Sequence, residues 1–430
     1  MIRQTHYFGA VIVAAVSQFL VNYFLSQKLS IEDYGRFSLV SAGIGIFVSL
    51  FMFGQATAIS MAYFSEEKKM CRNVKQEVFS ALKIIGVSVI VFSCVGLILW
   101  YKWYEKELSL MIMLLGLLAA LSSTLQAFFI SLINCMDRYR NYFISVLVGG
   151  FVLIGVATLN PSITGYLVAV IASAIFSIVA IITSLKQAFG VGLNSTNRVF
   201  GTKELIFLGW VAIPGMFISA ALGFADKYLL GHILTIRDVA VYSMATFLSI
   251  GVGRVFVSAI LKSNSILLMK SLQNQDGPAC NAIFRKTEWL LCVLCIFATL
   301  VYYTMAKLLV VGIFGGKFIE AVPILLSLFV AVMVEGMMQF MAQVLIQKMK
   351  LYIAVINGIV LLLVAVLLNY LIIPVLLIKG AVLTFFICNM LALIAVYFET
   401  KKMAEWIRFP CWFVPFCSFI FILSFFIPTT

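Results

Sequence analysis

The sequence predicts an all-α polytopic membrane protein. Twelve core transmembrane helices form two six-helix lobes, a parallel pseudo-repeat around a central cavity, and an extra apolar helix follows at the C-terminal end. Three observations predict this. Of 430 residues, 63% are apolar and only 11% are charged, against roughly 25% charged in an ordinary soluble domain. Apolar runs of about 20 residues, the length that crosses a bilayer, recur along the whole chain. The stretch after the first run is echoed in the second half of the chain. No compact soluble fold hides that much apolar surface. The same composition excludes a disordered chain and a disulfide-built secreted domain.

Taken in order, the runs place spans at Tyr7–Ser26, Phe37–Phe64, Ala81–Tyr101, Leu108–Asn134, Phe143–Leu159, Ile163–Leu185, Leu205–Gly231, Val239–Leu261, Thr287–Ala306, Phe318–Gln347, Tyr352–Ile373 and Ala381–Phe398. The first lacks a small-residue cleavage site and is followed at once by another span, so it reads as a retained helix. The longest connection, about Lys262 to Lys286, lies between spans eight and nine. No connection is large enough to fold as an extramembrane domain. Cys411–Ile427, with Pro415 inside it, is either a thirteenth span or a membrane-lying segment, and its length favours a span. The expected organisation is an N-lobe over residues 1–190, a cytoplasmic linker over 191–204, a C-lobe over 205–400 and a tail over 401–430.

The net charge of +13 is a topology signal. With the N-terminus in the cytoplasm, most of the 30 basic residues fall on inner segments, among them Lys68, Lys69, Arg72, Lys75, Arg138, Arg140, Lys401 and Lys402. Such a bias sets orientation, and it leaves no call for a nucleic-acid partner. The nine cysteines lie mostly within apolar runs. Cys292 and Cys295 have no second pair and no nearby His to complete a zinc site, so they read as small apolar packers. The string Gly312-Ile313-Phe314-Gly315-Gly316-Lys317-Phe318 has the wrong spacing for a phosphate-binding loop and no Ser/Thr after the Lys. No zinc-protease or nucleophile-elbow motif occurs either. Neither an enzyme nor a cofactor nor a resident metal is expected.

The duplication is read at two places. Leu29-Ser30-Ile31-Glu32-Asp33-Tyr34-Gly35-Arg36-Phe37-Ser38-Leu39 follows span one, and Leu234-Thr235-Ile236-Arg237-Asp238-Val239-Ala240-Val241-Tyr242-Ser243-Met244 follows span seven. Arg138-Tyr139-Arg140-Asn141-Tyr142 after span four is echoed by Lys348-Met349-Lys350-Leu351-Tyr352 after span ten. Each repeat holds six spans, an even number, so both run in the same sense and are related by an axis along the membrane normal. Transporters built this way carry substrate between their halves.

Polar groups at bilayer depth mark the candidate site, because a charge there costs about 2.5–3.5 kcal/mol on insertion scales. Arg254 in span eight and Glu335 in span ten lie at matching depths. They form either a structural ion pair or a cationic substrate site with a titratable partner, and an anionic substrate that displaces Glu335 from Arg254 reconciles the two. Span ten continues the stripe with Gln339, Gln343 and Gln347, four residues apart. Span one offers Gln18 and Asn22, which serve equally as substrate contacts or as glue between helices. Asp226 and Lys227 lie near the outer end of span seven, where the lysine can snorkel to the interface. Pro214 interrupts span seven and permits a bend.

These residues carry a resemblance. The Leu29–Ser38 loop, Pro214 followed by Asp226-Lys227-Tyr228-Leu229-Leu230-Gly231 and Val241-Tyr242, and Phe314-Gly315-Gly316-Lys317-Phe318 with Ala321 resemble segments of Wzx-type O-antigen and oligosaccharide repeat-unit flippases. So do Asn357, Asn369, Pro374, Lys379-Gly380-Ala381 and Thr384. Those flippases belong to the multidrug/oligosaccharidyl-lipid/polysaccharide exporter superfamily. The likeness covers about residues 5–400. It departs at Ala240, where a glycine is common, and in the apolar tail after Pro410. It implies translocation of undecaprenyl-diphosphate-linked oligosaccharide across a bacterial inner membrane, coupled to an ion gradient, with membrane lipids, a polysaccharide polymerase and a chain-length regulator as partners. Arg254, Lys227, Gln339, Gln343, Asn22 and Gln18 would then contact substrate, Glu335 or Asp226 would titrate, and Pro214 would be the hinge. The rival reading is an organic-cation antiporter of the same superfamily. It predicts acidic site residues without matching basic ones.

Overall fold

The structure is a computed structural model. It describes residues 2–56, 58, 74–103, 109–135, 138–189, 206, 209, 224–274, 276–347, 351–403, 408 and 410–426. Those residues are helical with short turns, and no strand occurs among them. Eleven helices among them are long and apolar enough to cross a membrane, which makes this a multi-pass membrane protein. They correspond to every expected span but the seventh. Most of span seven, with Pro214 and the linker 191–204, lies outside the described residues. The chain divides into two compact units, Met1–Phe224 and Ala225–Thr430.

The first unit contains α1 (Ile2–Lys28), α2 (Ile31–Met52), α3 (Val74–Trp103), α4 (Leu110–Cys135), α5 (Tyr139–Leu159) and α6 (Ile163–Phe189). Helix α5 packs between α1 and α6 at close range because the contact residues are small. Ser173 Oγ donates to the Gly149 carbonyl at 2.8 Å, and Ser177 Oγ to the Ser145 carbonyl at 3.0 Å. A β-carbon at Gly150 would collide with Ser17 of α1. Outward faces stay apolar, as on α3, where Phe79, Val87, Ile90 and Ile98 are exposed. Lipid is their natural solvent.

Span two is not the continuous helix expected over Phe37–Phe64. It starts earlier, at Ile31, because Ser30 caps it, and it breaks after Met52. Phe53 and Gly54 are both left-handed, at φ 46° and 68°. A glycine is required at 54, because a β-carbon there would strike the backbone of Gly209, whose own missing side chain admits Gln55.

The second unit begins at the second residue of α7 (224–233) and continues with α8 (Ile236–Thr246), which runs through a π-turn (Phe247–Gly251) into α9 (Val252–Gln273). Then follow α10 (Gly277–Phe314), a 3₁₀ turn (Gly316–Ala321), α11 (Val322–Gln347), α12 (Leu351–Leu376), α13 (Ile378–Met403) and α14 (Phe413–Phe426). Helix α11 is the core of this unit. It touches α9, α10, α13 and α14, and its run Val330–Val334 is buried on all sides. The long connection expected between spans eight and nine is mostly helix. Helix α9 continues to Gln273, and Asp276 accepts the Ala279 amide at 3.0 Å to start α10, with Pro278 in its first turn.

The C-terminal apolar run forms α14, 14 residues long, or about 21 Å at 1.5 Å per residue. It lies lengthwise against α11. Ser327 and Ser424 share a hydrogen bond at 2.8 Å, and Phe421 stacks on Phe386 at 3.9 Å. The amide of Phe413 donates to Glu288 of α10 at 3.0 Å, and Lys379 at the start of α13 donates to the Phe425 carbonyl at 3.2 Å.

Candidate functional site

The second unit opens with a hairpin whose turn is set by sequence. Thr235 and Asp238 form a reciprocal capping box that starts α8. The hairpin brings α7 against α8, so the buried carboxylate of Asp226 accepts from the Tyr242 hydroxyl and from the Lys227 backbone N–H, the latter at 2.8 Å. Lys227, next in the chain, is half-buried.

Further along the same continuous helix, α9 runs parallel to α11. Three contacts at four-residue intervals set their register. Ser249 Oγ donates to the Leu325 carbonyl at 2.7 Å. A β-carbon at Gly253 would lie 3.3–3.4 Å from Val332 and Phe329. A β-carbon at Gly336 would lie 2.5 Å from Val257. One residue off this stripe, Arg254 meets Glu335. Its Nη2 lies 3.0 and 3.1 Å from the two carboxylate oxygens, and its Nε 3.4 Å from one of them. Gln339 donates to the same carboxylate at 3.0 Å. Glu335 is thus almost enclosed, its side chain 13% exposed, while that of Arg254 is 50% exposed. Nη1 of Arg254 has no partner among the described residues. The guanidinium therefore gives one edge to the protein and keeps another open, the geometry in which arginine accepts a second oxyanion bidentately.

By helical rise, Arg254 lies about 27 Å along from Ile236 and about 10 Å short of Leu261, where the apolar span ends. The pair sits nearer the C-terminal ends of its two spans, and the Asp226–Tyr242 contact nearer the opposite end. Gln343 lies further along α11, its Oε1 buried without a partner among the described residues. The same is true of Ser243 Oγ, Asn369 Oδ1 and Thr384 Oγ1. Buried polar atoms left open are places for water or ligand.

Gln18 and Asn22 belong to the first unit and are engaged there. Asn22 donates to the Gln18 backbone carbonyl at 2.9 Å and accepts from Tyr34 at 3.1 Å. This ties α1 to α2, and Phe37 of α2 packs edge-on against Tyr166 of α6 at 4.7 Å. Sequence reading missed Tyr242 as the partner of Asp226, although it lies inside the echoed segment. It also missed the π-turn and Glu288, which span nine as first drawn left at its edge.

No protein-family model matches the chain, and no curated protein does. Solved structures match over nearly the full length. The lipid II flippase MurJ in an inward closed conformation has a TM-score of 0.70 at 12% identity, covering 99% of this chain and 97% of that one. An inward-facing multidrug resistance transporter of the MATE family in the MOP superfamily scores 0.66 at 12% identity, covering 92% and 98%. The MATE transporter VcmN of Vibrio cholerae scores 0.64 at 14% identity, covering 94% and 95%. At such identities the likeness is one of fold, and the fold is that of these membrane proteins.

Proposed function

We propose that the protein is a flippase that carries an undecaprenyl-diphosphate-linked oligosaccharide, an O-antigen or similar repeat unit, from the cytoplasmic to the periplasmic leaflet of a bacterial inner membrane. The mechanism is alternating access, with residues 1–190 and 205–400 acting as lobes and the N-terminus in the cytoplasm. The observation that carries this reading is Arg254, a guanidinium at bilayer depth with one edge bound to Glu335 and one edge open. A charge so placed must face water or protein, not acyl chains. A diphosphate is the chemistry a free guanidinium edge takes best. With the N-terminus inside, the pair lies in the cytoplasmic half of the membrane, where a substrate made in the cytoplasm arrives. Lys227 adds a second cation. Gln339 and Gln343 offer amides to sugar hydroxyls. Glu335, released from Arg254 by the incoming anion, is free to take a proton, which couples transport to an ion gradient; Asp226 is the other candidate for that role. The likeness to a lipid II flippase supports a lipid-linked cargo.

The second reading, export of organic cations, is favoured by the buried carboxylate of Asp226 and by the MATE transporters of the same fold. Reconstituted vesicles separate the two. Labelled undecaprenyl-diphosphate oligosaccharide should reach the far leaflet in the wild type. Arg254→Ala should lower that rate at least about tenfold, and Arg254→Lys most of the way, since a point charge does not replace a fork. Gradient-driven efflux of organic cations that is indifferent to Arg254→Ala would establish the antiporter instead.

A further inference from the structure

Two polar contacts stand on one helix. Tyr242 holds Asp226 near one end, and Arg254 holds Glu335 about 18 Å further on at 1.5 Å per residue. Between them lies the π-turn Phe247–Gly251. The Phe247 amide is shared between the carbonyls of Met244 and Ser243, and the Val252 amide bonds the Ser249 carbonyl. A π-turn is an α-helix with one residue too many, and such turns concentrate at functional sites.

The surplus residue has a geometric consequence. Every residue of α8 from Val239 to Thr246 is buried, so that segment is gripped all round. On α9, the stripe Gly253–Val257 is shaped for α11 by the two glycine approaches. Were the same residues wound as an uninterrupted α-helix, the surplus one would turn everything beyond it by about 100° relative to what precedes it. Tyr242 could then stay on Asp226, or Arg254 could stay on Glu335, but not both. Ser249, within the turn, is pinned to the Leu325 carbonyl of α11.

We propose that Ser249 and the π-turn it anchors are the positioning element of the Arg254 site, a rotary joint that lets the Asp226 clasp and the Arg254–Glu335 pair hold at once. Relaxation of the turn to α-helix swings the guanidinium off its carboxylate. Ser249 does not touch the cargo; it acts through Arg254. The role of the joint in transport rests on the flippase reading, whereas the joint itself is tested without any substrate.

The test uses paired cysteines in the full chain in membranes, with cross-links read by mass spectrometry. Val257→Cys with Gly336→Cys reports the α9–α11 register under mild oxidation. Arg237→Cys with Glu320→Cys, joined by a short bismaleimide, reports the seat of α8, because the native pair lies 2.6 Å apart. Ser327→Cys with Ser424→Cys reports an intact fold. Deletion of Ile250 removes the surplus residue. The turn should then close to α-helix with both flanks in phase, so all three pairs should keep their yield within about twofold. A fivefold loss of either of the first two pairs with the third intact overturns the proposal. If the deletion also loses the third pair, Ser249→Ala decides: the Val257–Gly336 yield should fall at least twofold and return with Ser249→Thr, and an unchanged yield overturns the proposal. A register that behaves in this way while lipid transport in vesicles is absent from the wild type would keep the joint and remove the flippase.

Discussion

In the first unit, Tyr34 of α2 gives its hydroxyl proton to the amide oxygen of Asn22 on α1. In the second, Tyr242 of α8 gives its proton to the carboxylate of Asp226 on α7. The two hairpins share their turn as well. Ser30 and Asp33 cap α2 through Asp33 N–H to Ser30 Oγ at 3.0 Å, and Thr235 and Asp238 cap α8 through the same bond at 3.2 Å. The echoed sequence therefore builds one scaffold twice. The clasp is uncharged in one copy, Tyr34 on Asn22. In the other it is ionisable and continues into Arg254 and Glu335. Duplication preserved the local geometry, and divergence placed the charge chemistry of the site in one half.

Exchanging the two clasps tests that contrast most strongly. Asp226→Asn keeps an acceptor for Tyr242, so it should leave the melting temperature nearly unchanged, and loss of gradient-driven transport in that variant would give the titrating role to Asp226 over Glu335. Asn22→Asp buries a carboxylate that faces a hydroxyl on one side and the Gln18 carbonyl oxygen on the other, and should cost about 1–3 kcal/mol of stability, seen as a lower melting temperature in detergent. Equal effects of the two exchanges on transport would mean that the halves are interchangeable.

A smaller effect is expected at the closest approach beside the site. Gly336→Ala overpacks Val257 and should destabilise by about 1–3 kcal/mol. Val257→Ala in the same chain should recover most of it, which thermal unfolding of the single and double variants will measure. The smallest effect belongs to the shared turn. Ser30→Ala and Thr235→Ala should each cost about 1 kcal/mol, and nearly equally. A large inequality would show that the two turns have parted functionally as the clasps have.

Much of this was legible in the sequence. The spans could be counted because bilayer thickness fixes their length. Arg254 and Glu335 could be matched in depth by counting rise, and the structure brings them together. The capping residues announced the repeat. What escaped has a physical cause. In a membrane, the face towards lipid is as apolar as the face towards protein, so periodicity loses its contrast. On α12, Leu363, Leu367 and Val375 are exposed while Ala365 and Ile373 are buried, all of them apolar. For the same reason a single extra residue in a π-turn leaves no mark on a hydropathy profile. The break at Phe53–Gly54 left only a glycine among many, and its reason, the backbone of Gly209, lies far away in sequence. Asn22 and Gln18 could be read either way from sequence, because polar glue and polar lining are the same side chains.

The short helix α14 meets a carboxylate at its amide end and an ammonium at its carbonyl end. A peptide helix is itself a dipole, positive where its amides begin. Glu288 and Lys379 therefore act as a compass. Inserted the other way up, the same 14 residues would present carbonyls to the acid and amides to the cation, turning two attractions, worth about 0.3–1 kcal/mol each at exposed helix ends, into two repulsions. The direction in which this segment runs is thus written outside it, in two residues of neighbouring helices. Swapping that pair of charges should favour the inverted insertion.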